Sequence, residues 1–119
     1  MTARLSTHVL DTGAGRPAAG VVVTLHRVDV DGHSGELLTR TTTNADGRTD
    51  EPLLQGARFT PGVYELCFAV GDYFAVDPTG PGTNGFLDVV PVRFGASGQE
   101  NLHVPLLVTP WSYSTYRGS

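Results

Sequence analysis

Between Asn101 and Thr109 every second residue is aliphatic: Leu102, Val104, Leu106 and Val108 alternate with His103, Pro105 and Leu107. A period of two marks a strand with one face on a core, because successive side chains leave a pleated backbone on opposite sides. The pattern returns at Tyr64, Leu66, Phe68 and Val70, with Glu65 and Cys67 on the other face. It returns again at Val21, Val23 and Leu25, and at Val90, Val92 and Phe94. Turn residues separate the runs, at Gly13 to Pro17, Asp31 to Gly35, Asn44 to Arg48 and Pro61-Gly62, and the 119 residues include 15 glycines and 8 prolines. Short alternating runs between such punctuation predict an all-β fold, an antiparallel β-sandwich. One helical turn is expected near Gly71 to Val76, and an exposed, mobile loop from Asp77 to Gly85. Pro105 has no N–H to give a ladder, so an edge, a bulge or a non-pairing position is expected there.

The formal charge of −4 gives no basic footprint for nucleic acid. The single Cys67 cannot close an internal disulfide and belongs to no metal-spaced set. No run approaches membrane-spanning length, and the start of the chain lacks the cationic and apolar blocks of an export signal. A single domain over residues 1–119, in the cytoplasm, with no membrane or nucleic-acid partner, is the expectation. Four histidines without close ligand spacing predict no metal site. Neither a glycine-rich phosphate loop nor a nucleophile elbow is present.

Chemistry therefore rests on scattered polar residues. His8 falls on the face of its strand opposite Leu5, Thr7 and Val9, together with Ser6. His103 lies opposite the four aliphatics of its own strand and points out of the core. Imidazoles take and return protons near neutral pH, which makes both candidates for acid–base work. Arg48 follows the Asp46-Gly47 turn, and Trp111 to Ser119 is aromatic, rich in hydroxyls and carries Arg117. Each has a plain structural explanation by itself, since loops expose charge and chain ends fray. His26 and His33 have no supporting context.

Three stretches in this order resemble the 5-hydroxyisourate hydrolases, the transthyretin-like enzymes of urate degradation: Leu5-Ser6-Thr7-His8-Val9-Leu10-Asp11, His103-Val104-Pro105-Leu106-Leu107 and Tyr113-Ser114-Thr115-Tyr116-Arg117-Gly118-Ser119, with Asp46-Gly47-Arg48 between the first two. The resemblance implies a transthyretin-like sandwich of two four-stranded sheets with one short helix. It implies a homotetramer, a dimer of dimers, with substrate sites where the dimers meet. It also implies hydrolysis of 5-hydroxyisourate, a small purine-derived substrate, by water attack on a ring amide carbonyl without metal or organic cofactor. Carried over by position, the catalytic residues are His8, Arg48, His103 and Ser119, and the substrate-binding residues are Tyr116, Arg117 and Gly118. Either histidine can be the base on this reading. The sequence departs from the family pattern at Asn101, where a histidine is common, at Ser112, where glycine is common, and in a longer loop at 78–85. A thyroid-hormone-type carrier and a structural or adhesive sandwich are the competing readings; the terminal Tyr-Arg-Gly-Ser together with His8 and His103 argues against both.

Overall fold

The computed structural model describes residues 3–75 and 85–118. Among the described residues, nine strands form two sheets. The first sheet runs β2 (Arg16–Pro17), β1 (Arg4–Asp11), β8 (Leu102–Val108), β9 (Tyr113–Thr115), with the two-residue β5 (Leu54–Gln55) paired to the start of β1. The second sheet runs β4 (Ser34–Thr42), β3 (Val22–Val28), β6 (Gly62–Ala69), β7 (Val89–Ala96). The α-helix α1 (Val70–Ala75) follows β6 where the alternation ends. The expected sandwich is present, and the described residues hold one short α-helix besides a 3₁₀ turn at Gly56–Arg58. The first sheet has five strands rather than four, because β2 and β5 add two-residue pairings. The loop expected at 77–85 lies, apart from Gly85, outside the described residues.

The alternating residues close the core. Tyr64, Leu66, Phe68 and Val70 are all 0% exposed, and Leu106 and Val108 face them from the other sheet with Leu5 and Val9 of β1. Burying one such side chain contributes about 1.5–3 kcal/mol, which offsets the cost of ordering its stretch of chain. Polar groups in the interior are paired. Thr7 Oγ1 donates to the Val104 carbonyl at 2.7 Å, and Thr43 Oγ1 donates to the Ala18 carbonyl at 2.7 Å while accepting from Val21 N.

One pairing departs from the antiparallel expectation: β1 and β8 run parallel, with Ser6 beside His103 and His8 beside Pro105. Alternation fixes which way side chains face but not the direction of a neighbouring strand. A parallel pair needs only a long connection, and nearly the whole chain separates these two strands. The consequence is functional, because the two histidine-bearing strands lie side by side with their outer faces continuous.

Toward the tail Pro105 is at a non-pairing position, one of the expected alternatives, while on its other side it pairs with His8. The register that pairs Leu106 with Thr115 continues past it to an isolated bridge between His103 and Gly118. His103 O accepts from Gly118 N at 2.8 Å, so by alternation the missing N–H of Pro105 also faces the tail. Pro105 can give no ladder bond there, and the tail strand breaks at Tyr116 before meeting β8 again at Gly118. Thr115 Oγ1 bridges the gap by donating to the Pro105 carbonyl at 2.7 Å.

Candidate active site

The outer face of the first sheet gathers the polar residues. His8 and His103 project from adjacent strands, their ring centroids 6.5 Å apart and their planes tilted by 41°. A reacting atom between rings at that spacing lies within hydrogen-bond reach of both, the geometry expected of an acid–base pair. Ser6 Oγ lies 2.8 Å from His103 Nδ1.

Arg48 reaches this face because its turn is laid across β1. Asn44 Oδ1 accepts from Asp46 N and Arg48 N, curling the turn, and Val9 N donates to the Gly47 carbonyl at 2.8 Å, pinning it to the strand. Arg48 and His8 form an isolated antiparallel bridge. Gly47 has φ +77°, and a Cβ there would stand 2.3 Å from the Val9 carbonyl oxygen, so both the backbone conformation and the close approach require glycine. The same turn fixes His8. Its Nε2 lies 2.9 Å from the Asp46 carbonyl oxygen, which can only accept. His8 Nε2 therefore carries a proton, and in the neutral ring the lone pair is on Nδ1.

His103 is half-buried, and burial lowers its imidazole pKa, with the Arg48 cation and then His8 adding to the shift. The ring is thus held neutral further into the acid range than a free imidazole. Gly118 closes over it: a Cβ at position 118 would stand 2.8 Å from His103 Cδ2, so the tail can pack on the ring only with glycine here.

Tyr116 falls across from Pro105 in the tail register and is 59% exposed, at the rim of this face. Arg117 alternates to the other side. It lies across from Val104, and its guanidinium runs to Glu100 at 3.0 Å, an exposed pair worth little by itself. Within one chain Arg117 does not join the histidines. Ser119 lies outside the described residues. The fold thus brings together His8, Arg48, His103 and Gly118, leaves Tyr116 at the rim and turns Arg117 away. Sequence reasoning missed Ser6 as a site residue, although its place two residues before His8 put it on the same face.

Beside Ser6 a shallow hollow of about 210 Å³ is lined by Arg4, Arg48, Asp50 and Glu51 among others, an even balance of charge. Among the described residues, one group of possible metal ligands converges, Asp29, Asp31 and His33 in the exposed β3–β4 turn. Asp29 Oδ1 there already accepts from Asp31 N and His33 N, a turn-forming role that accounts for the cluster. His26 sits on the second sheet, with Nδ1 3.4 Å from the Gly35 carbonyl. Among the described residues no helix is long and apolar enough to cross a membrane.

A sequence profile described as the HIUase/Transthyretin family matches residues 5–118. The chain is 55% identical to a 5-hydroxyisourate hydrolase of Halalkalibacterium halodurans, over 100% of both chains. It is similar to the structure of Klebsiella pneumoniae 5-hydroxyisourate hydrolase, at 35% identity and TM-score 0.78, over 98% of this chain and 99% of that one. It is also similar to a crystal structure of (S)-allantoin synthase, at 46% identity and TM-score 0.89; there it is covered over 99% of its length but spans 44% of that chain.

Proposed function

The chain belongs to the HIUase/Transthyretin family, and from that premise we propose that it hydrolyses 5-hydroxyisourate to 2-oxo-4-hydroxy-4-carboxy-5-ureidoimidazoline in urate and purine catabolism. The observation that carries this reading is the meeting of His8, Arg48 and His103 on one sheet face, from positions 8, 48 and 103 of the chain. Opening a ring amide needs a base to take a proton from water, a donor or cation for charge growing on the carbonyl oxygen, and a proton for the departing nitrogen. Two imidazoles beside a guanidinium supply all three. Water gives a proton to one imidazole as its oxygen bonds the carbonyl carbon, and the carbonyl electrons move onto oxygen. The adduct then collapses, the C–N bond breaks, and the nitrogen takes the proton from the imidazolium. Arg48 faces the oxygen that carries negative charge in between. A passive carrier has no need of such an acid–base pair.

The face is open in a single chain. We place the working enzyme in a homotetramer of single-domain subunits, in the cytoplasm, with a second subunit closing each groove. Tyr116 and Ser119 are assigned to the groove wall on the strength of the family pattern, and Arg117 would reach substrate only across the assembled groove. Gly118 serves by letting the tail approach His103.

The electrostatics give a test independent of turnover. Because burial, Arg48 and His8 all disfavour the charged form of His103, its ring is expected to titrate below the ordinary imidazole value of about 6.5. It should stay neutral and competent at cellular pH and become protonated only as pH falls through that lowered value. Arg48→Gln removes one of the three causes and should move the midpoint upward; an NMR titration of the His103 ring reads both. A midpoint above 6.5, or one that falls in Arg48→Gln, would contradict the arrangement. The activity itself is tested by the decay of freshly generated 5-hydroxyisourate, with background decay by folded protein as the opposing result.

A further inference from the structure

We propose that Ser6 is a positioning residue whose hydroxyl donates to His103 Nδ1, holding His103 as the Nε2–H tautomer and leaving His8 as the base. The inference rests on the hydrolase reading of this face and deepens it. Parallel pairing sets Ser6 directly beside His103 on the same side of the sheet, with Oγ and Nδ1 2.8 Å apart.

A serine hydroxyl can donate or accept, so this distance alone fits two arrangements. The partner ring decides between them. The hollow beside Ser6 is lined by Arg4 and Arg48 and equally by Asp50 and Glu51, so its charge favours neither arrangement. His8 has to turn a lone pair to the groove, and the pair offers substrate a ring N–H only when the Ser6 hydroxyl donates to His103 Nδ1. Among the described residues, that nitrogen is the one hydrogen-bond partner of Ser6 Oγ. The ring proton of neutral His103 then sits on Nε2.

His8 is the complement. Its Nε2 must donate to the Asp46 carbonyl, so its Nδ1 holds the lone pair. One ring of the pair presents an N–H and the other a lone pair, and carbonyl hydrolysis needs one of each. Water loses its proton to His8 Nδ1 while its oxygen bonds the carbonyl carbon. The oxyanion accepts a hydrogen bond from His103 Nε2–H, whose proton stays in place. As the C–N bond breaks, the departing nitrogen takes the proton back from His8 Nδ1.

The test is ¹⁵N NMR of histidine-labelled full-length protein, with the His103 signals identified by their loss in His103→Gln, alongside kinetics on 5-hydroxyisourate. Wild type is expected to show His103 with Nδ1 unprotonated and Nε2 protonated. Ser6→Ala should relax to a mixture of tautomers and lose about ten- to a hundredfold in kcat, with KM within about twofold, as for a group acting only on transition-state alignment. Ser6→Thr keeps the hydroxyl and should restore the tautomer and most of the rate. An Nδ1-protonated His103 in wild type would overturn the proposal, as would Ser6→Ala with tautomer and kcat unchanged. If Ser6→Ala does not fold, the wild-type and Ser6→Thr tautomers decide. Should wild type fail to turn over the substrate, the hydrolase reading falls, while the NMR still reports whether Ser6 sets the ring.

Discussion

Replacing His103 with alanine is expected to lower kcat for 5-hydroxyisourate by about 10² to 10³, the range for loss of one donor aimed at the oxyanion. The loss should be catalytic rather than structural. His103 lies on the outer face of β8, while the residues that hold that strand in the core are Leu102, Val104, Leu106 and Val108 on the opposite face. Alanine at 103 leaves those four in place and frees the Ser6 hydroxyl to meet water. Stopped-flow rates and a thermal melt of the same preparation check both halves. A rate near wild type would remove His103 from the mechanism; a collapsed melting temperature would make its role structural.

Gly47→Ala is expected to damage stability and activity together. A left-handed backbone costs an L-residue about 1–2 kcal/mol, and here the new Cβ also meets the Val9 carbonyl oxygen at 2.3 Å. That oxygen belongs to a central strand and cannot yield, so the turn must lift. Lifting breaks the bond from Val9 N to the Gly47 carbonyl, withdraws the Asp46 carbonyl from His8 and carries Arg48 away from the pair. Tm should fall by roughly 3–6 °C for each kcal/mol lost in a domain of this size, and the rate by more than about tenfold, since small misplacements of such groups are costly. Gly15 is the control. Its φ is +72°, but a Cβ there has nothing within 4 Å, so Gly15→Ala should carry the backbone cost alone and leave the rate intact. Equal effects at the two positions would contradict the account.

Much of this architecture was legible because burial imposes a period. The alternation at 64–70 and at 102–108 named the core residues of both sheets and put His8 and His103 on outward faces. It could not show that β1 and β8 are parallel neighbours, since direction and partner choice depend on contacts far apart in sequence. That one pairing makes a site of two strand histidines. Arg117 shows the opposite limit. Family likeness placed it with the histidines, whereas the tail continues as an interrupted strand along β8, and alternation turns Tyr116 and Gly118 to the histidine face and Arg117 to the other. Pro105, a residue with no N–H to give, is where that strand breaks. Ser6 shared a face with His8 in the sequence, but its meaning came only with His103 beside it.

The most direct measurement is the decay of 5-hydroxyisourate, formed in the cuvette by urate oxidase, as this protein is added in increasing amounts. Decay is expected to accelerate in proportion to the protein and to return close to the spontaneous rate with His103→Ala. Spontaneous decay in the presence of folded, assembled wild-type protein would contradict it.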